Sequence, residues 1–140
     1  MTRTIFFYGL FMDVNLLEDM GFDPEVVGPA ELPDYRIRIG NKATLVPHVG
    51  SCSYGMAMRL PDDQAVALYA APGVADYVPE EVDVVLLSTR DVLKAWCYNL
   101  PPDKVGGGVN TEYAVKLSRL LLDLGFPSDY AQEVLNPSDG

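Results

Sequence analysis

The order of the predicted elements constrains the fold most, because strand-like segments dominate the chain up to Tyr98 and the clearest amphipathic helices follow. An opening apolar run from Ile5 ends on Tyr8-Gly9. Further strands are predicted at 26–30, 35–40, 43–46, 54–60, 82–87 and 92–98, the last two as a hairpin. This order predicts an α+β fold, in which helices flank a mixed, largely antiparallel sheet or small β-barrel.

Four helices are predicted along the chain. Asp13 begins a helical pattern that stops before Gly21, and a second helix is predicted at 64–71, capped by 61–63. Two amphipathic helices follow, one from the cap at 110–112 to Gly125 and one from Ser128. The Pro- and Gly-rich segment 101–108 is predicted to be a flexible break, and 136–140 a frayed end. No internal repeat or linker interrupts the pattern, so residues 1–140 are expected to form one domain.

Composition narrows the possible partners. A formal net charge of −10 repels nucleic acid and anionic lipid, so neither is expected to bind. No apolar run approaches the length of a membrane span and no secretory signal is expected, so a cytoplasmic protein is predicted. Two cysteines and one histidine predict neither a disulfide framework nor a metal site, and no cofactor is expected. The oligomeric state is left open.

The junction at Tyr8-Gly9 is the first candidate site. A buried strand that enters a glycine loop at a helix start leaves backbone N–H groups without internal partners, at the positive end of a helix dipole. Such groups can hold an anion such as a carboxylate. The alternative is that this segment is only a core strand followed by a tight turn.

Six segments in order resemble the gamma-glutamylcyclotransferase-like family, which includes the AIG2-like proteins, and they span nearly the whole chain. The segments are Tyr8-Gly9, 28–37, 43–47, 53–57, Glu112-Tyr113 and 124–130. The family's first loop reads Tyr-Gly-Ser, whereas Leu10 replaces the serine here. The resemblance implies a small-molecule cleft in which the α-amino group of a gamma-glutamyl compound attacks its own side-chain carbonyl, giving 5-oxoproline and a free amine.

The resemblance also implies which residues bind the ligand. The loop would hold the ligand's α-carboxylate, and two tyrosines that match family positions would face the pocket. The implied ligand-binding residues are Tyr8, Gly9, Leu10, Phe11, Tyr77 and Tyr98. The alternative for each of the two later tyrosines, Tyr77 and Tyr98, is local packing with a local hydrogen bond.

The expected general base is missing. The family has a glutamate in a Leu-Asp-x-x-Glu-Gly-Val segment, and the matching stretch 68–74 places Pro72 at that position. Glu80 and Glu81 are the candidate replacements, although acids beside a strand start are usually solvated; His48 is a weaker candidate.

Two function hypotheses follow from the missing base. The first is a protein that acts on or binds a gamma-glutamyl or other amino-acid-derived ligand, and whether it converts the ligand to 5-oxoproline and a free amine is left open. The second is a catalytically silent ligand-binding or interaction protein of the same fold, which Pro72 favours. Composition alone would suggest a structural acidic domain without a ligand.

Overall fold

A closed five-stranded barrel forms the centre of the computed structural model, which describes residues 1–40, 42–101 and 110–135. The strands are β1 (Thr2–Phe7), β2 (Glu25–Ile39), β3 (Ala43–Pro61), β4 (Val78–Leu86) and β5 (Val92–Asn99). The helices are α1 (Val14–Asp19), α2 (Asp62–Tyr69), α3 (Thr111–Asp123) and α4 (Ser128–Leu135), and a 3₁₀ turn covers Leu10–Met12. Apart from Pro101, the predicted flexible break lies outside the described residues, as does the predicted frayed end.

The barrel order is β1-β3-β2-β4-β5, and the ring closes between β5 and β1. Four of its pairings are antiparallel, whereas β1 and β5 run parallel and meet at Ile5 and Trp96. The prediction of a mixed, largely antiparallel small barrel with helices against it is therefore confirmed.

The prediction of separate strands at 26–30, 35–40, 43–46 and 54–60 was wrong, because these segments form only two long strands, β2 and β3. The two strands stay paired past the polar stretches, and a shift of register between Pro33 and Tyr35 absorbs the extra residues of β3. Asp34 lies at this shift with a φ of 64°, and its carboxylate accepts a hydrogen bond from the Gly50 N–H at 3.1 Å. Residues 48–51 therefore form a bulge within a continuous hairpin, where the sequence predicted a turn over 47–51.

Two element boundaries also differ from the prediction. Helix α2 begins at Asp62 because Pro61 takes the N-cap position without a side-chain hydrogen bond, and Asp62 and Asp63 lie in the first turn. Carboxylates there interact favourably with the helix dipole. Strand β4 begins at Val78, not at 82, because its pairing with β5 continues as far as Asn99.

Helices α3 and α4 pack against each other through their apolar faces. Leu117 and Leu121 of α3 and Val134 of α4 are fully buried, and the Ser118 hydroxyl donates to the Ala131 carbonyl at 2.9 Å. The predicted cap of α3 is present, because the Asn110 side chain accepts a hydrogen bond from the backbone of the helix. Within the described part of the chain, no helix is long and apolar enough to cross a membrane.

Candidate functional site

A cavity of about 260 Å³ lies where β1 ends, between the loop that follows it and the segment that follows α2. This volume is just below the range of about 300–1,000 Å³ that is usual for small-molecule sites. Its wall is mainly aromatic, and five of the chain's eight tyrosines line it. These are Tyr8, Tyr69, Tyr77, Tyr98 and Tyr113.

All six residues that the sequence predicted to bind ligand line this one cavity: Tyr8, Gly9, Leu10, Phe11, Tyr77 and Tyr98. They come from the loop and 3₁₀ turn after β1, from the segment before β4, and from β5, and the closure of the barrel brings them together. Their role in binding remains a prediction, but their common location agrees with it.

The segment after β1 follows the predicted order, in which a strand is followed by a glycine and then by the start of a helix. Tyr8 is buried, and its hydroxyl donates to the Tyr98 carbonyl at 2.7 Å. Gly9 is the N-cap of the 3₁₀ turn and has no side-chain cap, and the first hydrogen bond of the turn runs from the Met12 N–H to the Gly9 carbonyl at 3.0 Å. The N–H groups of Leu10 and Phe11 therefore have no acceptor within the turn itself.

The side chain of Tyr113, from α3, packs against this loop. Its hydroxyl oxygen lies against Gly9, and the neighbouring Leu10 backbone acts to lower the pKa of Tyr113. A Cβ built at Gly9 would lie only 2.5 Å from that oxygen, so the close approach of Tyr113 requires glycine there. A neutral phenol thus already lies beside the amides that were expected to hold an anion.

Stacked rings hold the aromatic wall in place. The ring of Tyr69 lies parallel to that of Tyr98, with 3.8 Å between centroids, and makes an edge contact with Phe11 at 6.2 Å. The Tyr98 hydroxyl accepts a hydrogen bond from Arg3 at 2.9 Å, and the Tyr77 hydroxyl donates to the Ala43 carbonyl. These contacts leave the wall little freedom to rearrange around a ligand.

Burial also controls the protonation of the wall. It raises the pKa values of Tyr8 and Tyr69 well above the ordinary value and raises that of Tyr77 as well. Burial raises the pKa of Tyr113 to about 12, with the Leu10 N–H acting in the opposite direction. These hydroxyls are therefore neutral near pH 7 and cannot serve as general bases.

The raised tyrosine pKa values predict a loss of stability in alkaline solution. The unfolded chain loses its phenolic protons near the ordinary pKa of about 10, whereas the folded chain keeps them to higher pH. The stabilisation is therefore complete below about pH 10 and is lost as the pH rises through the folded values. The free energy of unfolding, measured by urea titration, should fall steeply above about pH 10. Tyr113→Phe should make this decline shallower, and a flat profile to about pH 12 would contradict the burial of these hydroxyls.

Lys42 is the one charged side chain in the cavity wall among residues 1–40, 42–101 and 110–135. It lies in the short connection between β2 and β3, and its ammonium group is 3.6 Å from the carboxylate of Asp76. No carboxyl group of these described residues lines the cavity.

The two glutamates considered as replacement bases lie outside the cavity wall. Glu81 is exposed and lies 3.9 Å from the ammonium group of Lys94. Glu80 accepts a hydrogen bond from the Asn99 side chain at 2.6 Å, and Asn99 in turn accepts one from the Leu45 N–H. Glu80 is therefore connected to the barrel interior through Asn99 without lining the cavity.

Pro72 and His48 do not line the cavity either. Pro72 is exposed at the rim, directly before the lining residues Gly73 and Val74. His48 is exposed on the bulge of β3, with its Nδ1 2.7 Å from the Ser51 hydroxyl.

Comparison with solved structures relates the barrel and its helices to known proteins. A gamma-glutamyl cyclotransferase superposes with a TM-score of 0.80 at 18% identity, covering 100% of this chain and 91% of that one. The chain has the gamma-glutamyl cyclotransferase fold. An uncharacterised protein from Homo sapiens shares this fold with a TM-score of 0.78 at 18% identity, over 99% of this chain and 90% of that one. An AIG2-like protein from Mus musculus follows with a TM-score of 0.60 at 16% identity, over 91% and 86% of the two chains.

No family model matches the sequence, and no curated protein matches it. The gamma-glutamyl cyclotransferase fold is therefore recognised through the structure, and at 16–18% identity these neighbours show the fold and not the chemistry of the cavity.

Among the wall residues with a polar side chain, sequence reasoning missed three, Lys42, Tyr69 and Tyr113. Tyr113 carried a usable signal, since it lies in one of the segments that resemble the family. Tyr69 carried one as well, since it lies in the stretch 68–74 that matches the family's glutamate segment. Lys42 had none, because nothing in the sequence around it marks it as a site residue.

Proposed function

We propose that this protein binds a small, carboxylate-bearing ligand of the gamma-glutamyl class in the aromatic cavity without converting it to 5-oxoproline. The observation that carries the proposal is the charge of the wall, where the described residues supply one ammonium group, that of Lys42, and no carboxylate.

Cyclisation needs a proton acceptor. The α-ammonium of a gamma-glutamyl compound has an ordinary pKa near 8, so a base must remove its proton before the nitrogen can attack. The buried tyrosines keep their own protons, because burial raises their pKa values. Pro72 has no acidic group either, and it stands where the family resemblance puts the glutamate. These observations favour binding over turnover.

The cavity suits a ligand of amino-acid size. Tyrosine faces attract an ammonium group or cover an apolar amine substituent, and Lys42 together with the Phe11 N–H can receive a carboxylate. The gamma-glutamyl class is supported by the name of the neighbour with a TM-score of 0.80, a gamma-glutamyl cyclotransferase.

An active enzyme with a relocated base is the second candidate. The hydrogen bond between Glu80 and Asn99 favours Glu80 over Glu81 for this role, because it ties the Glu80 carboxylate to the barrel interior. Glu81 pairs with Lys94 instead.

The test measures binding and turnover on the same samples. Calorimetric titration of the wild-type protein with a panel of gamma-glutamyl amines should give saturable heats, and an assay of 5-oxoproline should give no rate above the uncatalysed one. Glu80→Gln and Glu81→Gln are compared with Glu18→Gln, which removes an exposed carboxylate of α1. Wild-type turnover that Glu80→Gln or Glu81→Gln alone abolishes would establish a relocated base and refute silent binding. The absence of binding to any panel member would refute the proposed ligand class.

A further inference from the structure

The loop after β1, whose backbone N–H groups were predicted to hold an anion, is partly blocked in this chain. The Tyr113 hydroxyl is packed directly against Gly9, next to the Leu10 backbone. An incoming carboxylate would have to displace this partly buried phenol to reach the loop's amides. We therefore expect another residue of the wall to be the main partner for a carboxylate.

Lys42 is placed to be that partner. Its backbone is fixed on both sides, since its carbonyl accepts the Gly40 N–H at 3.2 Å and the next carbonyl, that of Ala43, accepts the Tyr77 hydroxyl. The Gly40 carbonyl in turn accepts the Asn110 N–H at 3.0 Å, which ties this connection to the start of α3. Lys42 is thus a lining residue on a fixed backbone, in a cavity wall that is otherwise uncharged among the described residues.

The ammonium group of Lys42 forms an ion pair with the carboxylate of Asp76. The pair is 3.6 Å apart, with side-chain exposures of 36% for Lys42 and 51% for Asp76. Ion pairs this exposed are weak because water screens them. A carboxylate that enters the cavity, where part of its shell of water is removed, can therefore replace Asp76 on Lys42.

We propose that Lys42 selects the anionic ligand and that Asp76 acts as an internal competitor which the ligand's carboxylate displaces. This inference rests on the proposed function, and it identifies the ligand's α-carboxylate as the group that Lys42 recognises. The segment 70–77 carries Asp76 and also forms part of the cavity wall, so the exchange takes place at the mouth of the site.

The test uses two probes, gamma-glutamyl ethylamide and its α-carboxamide, which differ in the charge of one group. Wild-type protein should bind the carboxylate about 10-fold more tightly than the carboxamide. Lys42→Gln should remove that preference by weakening carboxylate binding about 10-fold and leaving the carboxamide unchanged. Asp76→Asn should tighten carboxylate binding about two- to fivefold, again with no effect on the carboxamide.

Matched controls separate this local effect from the overall charge. Lys116→Gln and Asp123→Asn make the same charge changes at exposed positions of α3 and should leave both affinities as in the wild type. Equal binding of the carboxylate by wild type and Lys42→Gln, or weaker binding by Asp76→Asn, would overturn the inference while leaving the proposed function in place. If neither probe bound to the wild type, the proposed function would fail, and the role of Lys42 with it.

Discussion

Replacing Pro72 by glutamate is expected to create 5-oxoproline release, at a rate about 100- to 10,000-fold above that of the wild-type protein. Residue 72 lies at the cavity rim, one position before the lining residue Gly73. A glutamate side chain has enough rotatable bonds to reach inward from there, and its carboxylate would accept the proton of the ligand's α-ammonium group. The measurement is the initial rate of 5-oxoproline formation from gamma-glutamyl ethylamide.

Ala70→Glu is the matched control for this gain of activity. Ala70 is also exposed and lies in the same segment, so the variant adds an equal charge two positions upstream of Pro72. It should stay as inactive as the wild type. If both variants were folded and bound ligand but neither released 5-oxoproline, residue 72 would not be the position of the missing base.

Gly55→Ala is expected to destabilise the fold by about 3 kcal/mol, at the upper end of the usual cost of overpacking. Gly55 lies in β3 beneath the end of β1, where an added Cβ would collide with the backbone carbonyl of Phe7 and lie 2.9 Å from the ring of Phe6. That ring is almost completely buried, and a backbone carbonyl within a strand pairing cannot move aside easily. The melting temperature should fall by roughly 10 °C.

Val49→Ala is the control for Gly55→Ala. Val49 lies on the same strand but is 89% exposed on the bulge, so its replacement should change the free energy of unfolding by less than about 0.5 kcal/mol. A Gly55→Ala protein as stable as the wild type would mean that β1 and β3 do not approach each other as closely as described.

The type and order of the elements could be predicted from the sequence because they depend on local signals. Alternation of apolar residues predicted the strands, and the cap at Asn110 and the stop at Gly125 predicted α3. The continuity of β2 and β3 could not be predicted, because Pro47 and Gly50 read locally as a turn. Only the pairing of the two strands across the hairpin shows that these residues form a bulge.

In the candidate site, too, the local features could be predicted from the sequence and the long-range contacts could not. The loop around Tyr8 and Gly9 was predictable because its residues are adjacent in the chain. The contact between Leu10 and Tyr113 was not, because it joins the first loop to a helix more than 100 residues later, and no local pattern encodes such a contact. The pairing of Lys42 with Asp76 likewise depends on the closed barrel and not on either segment alone.

Binding without turnover can be tested in a single proton NMR experiment. Gamma-glutamyl ethylamide is incubated with the wild-type protein, and its spectrum is followed over time. The proposed function predicts that the ligand's resonances broaden while the ligand stays intact. Irradiation of the aromatic protons of the cavity wall should transfer saturation to the ligand and reduce the intensity of its resonances. Free ethylamine and 5-oxoproline that accumulate in proportion to protein concentration would contradict silent binding, and sharp, unperturbed ligand resonances would contradict binding itself.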